Sequence, residues 1–224
     1  GPTLFPLGHE VGPQRKIVDA IKKQTKTQIG IRTCVVCGEE THQGVHCGEN
    51  TKFKEFHYGK FDIQGLWNKA KWSAGTYADL PVKGTKGMTS AEKCPENMLK
   101  GILRYQNDIS VFRDGTIRFD MVDISMTHFK PSEIGLSVEK ANELGYEVKS
   151  VDEVVELFPQ DIVVSKECAE VMLKTMNYID ELLVKLYEVE PFYNCNTLED
   201  MFGHLCMGLA PHTSGAILCR LIGV

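Results

Sequence analysis

Two cysteines separated by two residues and followed by a glycine, Cys34-Val35-Val36-Cys37-Gly38, constrain this chain more than any other feature. Thiolates at that spacing can grip one tetrahedral ion. The glycine lets backbone amides turn toward the sulfurs and relieve their charge. Cys47, followed by Gly48, can supply a third ligand, but a complete ribbon would put a fourth cysteine at the position held by Gly44. A histidine would then substitute, and His42, His46 and His57 are all near in sequence. His46 adjoins Cys47, so both would reach one ion only across an irregular turn. His42 has more freedom and is the expected fourth ligand. Zinc held by Cys34, Cys37, Cys47 and His42 would have no open position and would be structural, stabilising a segment too small to bury its own core. A knuckle held by packing alone is the competing account. A redox pair is disfavoured, because no thioredoxin-like strand and helix surround it.

The remaining five cysteines, at 94, 168, 195, 206 and 219, are scattered and read as small buried hydrophobes or surface thiols. With no signal-like start, the pattern points to a reducing, cytoplasmic setting rather than a secreted disulfide scaffold. No run of about 18 apolar residues exists, so no membrane partner is expected. The opening Gly1-Pro2 is compatible with a cleavage scar, which would make the chain a piece of something longer. The net charge of −5 hides an asymmetry: residues 1–130 carry 19 basic and 14 acidic residues, and residues 131–224 carry 6 and 16. The front can face a polyanion; the back would repel one except locally.

The periodicities predict an α+β chain. Residues 15–27 (RKIVDAIKKQTKT) read as a short basic amphipathic helix. Residues 51–90 mix aromatics, lysines and glycines and read as loop with short strands. Residues 109–113 and 116–120 flank Asp114-Gly115, the signature of a two-residue hairpin. Helices follow: Ser137 caps one that Gly145 stops, and Ser150 with Glu153 has capping-box spacing ahead of VVELF. Residues 166–188 form the longest, with Ala169, Met172, Met176, Ile179, Leu183 and Leu186 on one face, and Thr197 with Asp200 starts another. The expected organisation is an N-terminal segment with the basic helix (1–29), a zinc-knuckle-like, loop-rich module (30–82), a β-hairpin/β-barrel portion (83–135) and a helical C-terminal half (136–224).

No Walker loop, GxGxxG, GxSxG or HExxH occurs. Asp120 and Asp123 fit a solvated or salt-bridged pair better than a cation site. Pro211, His212, Thr213 and Ser214 open a turn whose free N–H groups can cradle a phosphate, with plain capping as the alternative.

Several long phrases carry a family resemblance. KGTKGMTS (83–90), KGILRYQNDISVFRDGTIRFD (100–120), THFKPSEIGLSVEKANELGY (127–146), LFPQDIVVSKECAEVMLK (157–174), FYN (192–194) and EDMFGHLCMGLAPHTSGAILCRLIGV (199–224) resemble the large subunit of archaeal D-family DNA polymerases. The opening LFPLG (4–8), with its basic helix and cysteine module, is similar too. The resemblance implies a central slice of the catalytic subunit of a DNA-directed DNA polymerase, whose core is two double-psi β-barrels. It implies template-directed dNTP addition in DNA replication with magnesium held by aspartates, and a partner subunit carrying the proofreading nuclease. The family's Asn-Cys-Asp-Gly-Asp motif does not occur in the 224 residues. Its expected place is beyond Val224, so the isolated chain is expected to be inactive, bind no magnesium and have no catalytic residue of its own. Its role would be scaffold and contact with primer-template DNA. Lys83, Lys86, Lys100, Arg104 and Arg113 are the candidate phosphate contacts, and His212, Thr213 and Ser214 are expected near the primer-template path. The residues taken alone also fit a stand-alone zinc-knuckle nucleic-acid-binding adaptor with an acidic helical protein-docking half, or an assembly module that docks another subunit through that half.

Overall fold

The computed structural model describes residues 2–110, 127–159, 161, 163 and 166–206. In chain order the elements are β1 (Pro2–Pro6), α1 (Ile17–Lys23), β2 (Lys26–Thr33), β3 (Glu40–Thr41), β4 (Val45–His46), β5 (Glu49–Asn50), β6 (Lys52–Lys60), α2 (Ile63–Ala74), β7 (Lys83–Thr85), α3 (Met98–Gln106), β8 (His128–Phe129), α4 (Val138–Glu143), β9 (Val155–Glu156), α5 (Lys166–Leu186) and α6 (Leu198–Cys206). Helix and sheet are mixed, and no closed barrel forms among the described residues. The sheets are a parallel β1–β7 pair, an antiparallel β3–β2–β6 sheet, and the β4–β5 and β8–β9 ribbons. No helix among the described residues is long and apolar enough to cross a membrane.

Helix α1 is shorter than the basic pattern predicts. Ile17 and Ala20 are buried, Lys22 and Lys23 sit in the last turn where cations suit the helix dipole, and Gln24 leaves the helix at φ 47°. From there the period changes to two: Thr25, Thr27 and Ile29 are buried while Lys26 and Gln28 are exposed, so the chain continues as β2.

Residues 51–90 are more regular than expected. Strand β6 pairs with β2 along its whole length, and α2 follows. Asp62 Oδ1 accepts the Gly65 N–H at 2.9 Å to cap α2, which ends where Gly75 N–H donates to Trp72 O and Thr76 N–H to Lys71 O, both at 3.0 Å. Ile63, Trp67, Ala70 and Ala74 form its buried stripe. Residues 83–110, expected as β-rich, hold only β7 before α3 begins, capped by Asn97 Oδ1 accepting the Leu99 N–H at 2.9 Å. The predicted hairpin 109–113/116–120 lies mostly outside the described residues, as do Asp120 and Asp123.

The described residues of the C-terminal half follow their sequence signals closely. Ser137 Oγ accepts the Lys140 N–H at 3.2 Å, and Tyr146 N–H returns to Ala141 O across Gly145. Thr197 and Asp200 exchange capping bonds at the start of α6. The exception is VVELF. Ser150 and Glu153 close a turn on their own backbone, with Glu153 accepting the Lys149 N–H at 3.0 Å, and Val155–Glu156 pair with β8 as strand β9. Tyr146 decides this: its ring stacks on Phe158 at 4.3 Å and meets Phe129 edge-on, so VVELF is held beside β8 in a small second core.

The main core draws on residues from Phe5 to Met201, uniting β1, α1, α2, α3, α5 and α6. Four of the six positions expected on the inner face of α5, Ala169, Met176, Ile179 and Leu183, are buried there; Met172 and Leu186 pack at its margin.

Candidate metal centre

Strand β2 ends by delivering Cys34 into a tight turn. The Cys34 N–H donates to Glu39 O at 2.9 Å and the Gly38 N–H to Cys34 O at 3.0 Å. Inside this turn the Val36 N–H points at Cys34 Sγ, 3.4 Å away. The second half of the site is the β4–β5 ribbon, in which His46 pairs with Glu49. Its two-residue turn is Cys47-Gly48, with φ 52° and 78°. Two successive positive φ angles are the hairpin geometry that matches strand twist, and glycine accepts one of them without strain. This is the irregular turn that lets neighbours His46 and Cys47 face one point.

Cys34, Cys37, His46 and Cys47 thus place their ligand atoms all within 4.8 Å of one another. His46 Nδ1 lies 3.5 Å from Cys37 Sγ and 3.3 Å from Cys47 Sγ, and the two sulfurs are 3.7 Å apart. A tetrahedron with metal–sulfur bonds of about 2.3 Å and metal–nitrogen bonds of about 2.0 Å has edges of roughly 3.5–3.8 Å. The donor set therefore fits a closed, four-coordinate metal site such as one for zinc. Glu39 approaches the other ring nitrogen, Nε2, at 3.8 Å, the carboxylate position that orients a metal-bound imidazole.

The electrostatics also call for a cation. The backbone N–H of Cys37 is the main influence pulling the Cys34 thiol down to about 6; His46 and the Val36 N–H assist against burial. The Cys37 sulfur, burial and the Cys34 sulfur push the Cys47 thiol up to about 11. Clustered thiols resist ionising together, and a divalent ion at their centre removes that conflict.

His42 is not part of the cluster. Because β3 pairs with β2, with Thr33 opposite Glu40 and Arg32 opposite Thr41, the chain runs back along β2 and carries His42 away from Cys34. Its Nδ1 lies 3.0 Å from Gly30 O and its ring meets Phe61 edge-on. A side chain at Gly44 would meet Cys94, whose sulfur is 3.3 Å from the position of a Cβ there. A brace not foreseen from the sequence joins the two halves of the site. Arg32 donates from Nε to Thr51 Oγ1 at 2.7 Å and from Nη2 to Thr51 O at 2.8 Å, and Thr51 Oγ1 donates on to Gln43 O at 2.7 Å. An arginine two residues before the first cysteine and a threonine just after the hairpin were the available signal.

Of the candidate phosphate contacts, Lys83 and Lys86 are exposed. Lys100 and Arg104 are buried, at 8% and 1% exposure, and Arg104 pairs with Glu96 rather than facing solvent. Both lie among the first seven residues of α3, all of which are buried. Arg113, His212, Thr213 and Ser214 lie outside the described residues.

The described residues thus combine a mixed helix-and-sheet body with a cysteine–histidine group able to hold a metal ion. A model of the DNA polymerase II large subunit DP2 catalytic domain matches residues 75–224, and the chain belongs to that family. It is 42% identical to the DNA polymerase II large subunit of Archaeoglobus fulgidus, 43% to that of Methanothermobacter thermautotrophicus and 39% to that of Pyrococcus abyssi. The matches cover 98%, 99% and 99% of this chain and 23%, 21% and 18% of those proteins. The chain thus spans about a fifth of the length of these relatives. The metal centre precedes the segment matched by the family model but lies within the span shared with the relatives.

Proposed function

We propose that the chain is part of the large subunit of a DNA-directed DNA polymerase, acting in template-directed dNTP addition during DNA replication. The observation that carries this reading is near-complete coverage of the chain by proteins named DNA polymerase II large subunit. The chemistry that divalent ions supply, magnesium in the whole enzyme, belongs to an aspartate motif that does not occur in these 224 residues. What this chain contributes is shape and DNA contact. Zinc at Cys34, Cys37, His46 and Cys47 fixes the β4–β5 ribbon to the end of β2. Lys83 and Lys86 offer positive charge to the phosphate backbone, and Arg113, His212, Thr213 and Ser214 belong to the same reading. Lys100 and Arg104 drop out of it. A small subunit bearing the proofreading nuclease completes the enzyme.

Primer extension tests this. The full-length large subunit with its nuclease partner should extend a primed template, and this chain alone should not. Failure of the full-length pair would overturn the polymerase assignment, and extension by the isolated chain would overturn the scaffold role.

A further inference from the structure

The β2–β6 ribbon has an outer face used neither by the metal centre nor by the proposed phosphate contacts. Residues directly opposite on antiparallel strands share a face. Thr27 and Ile29, each 1% exposed, point into the body, so Lys26, Gln28 and Gly30 point outward with their partners Lys60, Tyr58 and Phe56. The register shifts between Ile31 and Arg32, leaving Lys54 as an extra residue in β6. That bulge brings Phe53 onto the outer face too. Its ring lies 3.0 Å from where a Cβ on Gly30 would stand, and 4.9 Å from the Phe56 ring.

Two properties of this face point to a ligand. Phe56 and Tyr58 are 40% and 58% exposed, two residues apart on strand β6. Lys26 and Lys60 sit directly opposite each other, an arrangement of like charges that destabilises a sheet, and neither is ion-paired with any described residue. None of the residues facing outward is acidic. Exposed aromatics beside unneutralised lysines on a β-ribbon stack bases and hold phosphates. Stacking requires the faces of the bases, which a duplex hides.

We infer that the outer face of the β2–β6 ribbon binds a single-stranded stretch of DNA, with Phe56 and Tyr58 stacking on bases and Lys26 and Lys60 contacting the adjoining phosphates. This deepens the polymerase reading and rests on it for the choice of DNA: a template must be single-stranded where it has not yet been copied. The paired lysines argue against an apolar protein segment as the occupant.

The test uses the full-length large subunit and a single-stranded oligonucleotide carrying iododeoxyuridine. Ultraviolet cross-linking followed by peptide mapping should place a cross-link within residues 52–60 of the unaltered protein. Phe56→Ala with Tyr58→Ala should weaken binding of that strand by about 30-fold or more and leave duplex binding unchanged. Lys26→Gln with Lys60→Gln should reduce the salt dependence of single-strand binding, by roughly 1.4 in log–log slope for two phosphates. Unchanged circular dichroism and metal content would show that the variants fold. Cross-links only elsewhere, as when a protein segment covers the face, would overturn the assignment, and so would equal losses for single strand and duplex. If primers are not extended yet residues 52–60 cross-link, the polymerase reading fails and this one stands.

Discussion

Arg104 and Glu96 form an ion pair inside the protein, with Arg104 Nη1 2.7 Å from Glu96 Oε2 and Arg104 1% exposed. The pair joins three elements. Glu96 accepts the Leu4 N–H at 2.9 Å beside β1, Arg104 lies on α3 and also donates to Pro2 O at 3.1 Å, and its guanidinium sits over the Tyr178 ring of α5. A pair this enclosed adds little over an apolar substitute, but either member left alone is a buried uncompensated charge. Arg104→Met should therefore destabilise the protein by about 3–5 kcal/mol in urea unfolding, and Glu96→Leu with Arg104→Met should recover much of that loss. Equal instability of the single and double variants would contradict this account.

The same pair sets a response to acid. Burial pushes the Glu96 carboxyl up, but the hydrogen bonds and charge of Arg104, with the Leu4 N–H and Lys100, outweigh it and hold the group below its ordinary value of 4.5. A carboxyl depressed by folding contributes stability above its unfolded pKa and loses it as pH falls through the lower folded value. The contribution of this pair to the unfolding free energy should therefore be constant above about pH 4.5 and decline below it. The decline should be shallower in the double variant, in which the titrating group is gone.

The metal centre separates His46 from His42. Cys34→Ser, Cys37→Ser, Cys47→Ser and His46→Ala should each lower the zinc content of the purified protein, whereas His42→Gln should leave it unchanged. Arg32→Met should weaken metal binding at least tenfold, the low end for supporting residues around a site, because it releases Thr51 and the ribbon bearing His46 and Cys47. A chelator competition series reads both effects. Loss of zinc on changing His42 and not His46 would contradict the geometry.

His46 was not legible as the fourth ligand because it adjoins Cys47. Adjacency to Cys47 argued against it only while the intervening backbone was assumed ordinary, and two positive φ angles at Cys47-Gly48 supply what adjacency lacks. The three cysteines were legible because chemistry fixes their spacing. Helices α4 and α6 were legible because Ser137 and Thr197 act locally, and α5 because its apolar period runs for 21 residues. By contrast, α2 was hidden: Trp67 is fully buried while Trp72, five residues on, is 74% exposed, so composition alone could not show which aromatic marks the core. Arg104 was hidden for the reverse reason, since an arginine reads as solvent-facing until Glu96 is placed beside it. VVELF was misread because a capping box is only permissive, and packing of Phe158 on Tyr146 overrode it.

Gly101 tests how tightly α3 is seated. An alanine in mid-helix ordinarily gains about 1 kcal/mol over glycine. Here a Cβ would stand 2.7 Å from Val82 Cγ1 and 3.0 Å from Thr3 Cβ, both branched side chains that are themselves buried and have little room to yield. Overpacking of this kind costs about 1–3 kcal/mol. The clash outweighs the propensity gain, so Gly101→Ala should lower the urea midpoint, by up to about 2 kcal/mol in stability. Pairing it with Val82→Ala should relieve the contact and restore part of the loss, since Val82 Cγ1 is the nearest atom. A stabilised Gly101→Ala variant would mean that α3 is not held as close to Val82 and Thr3 as described.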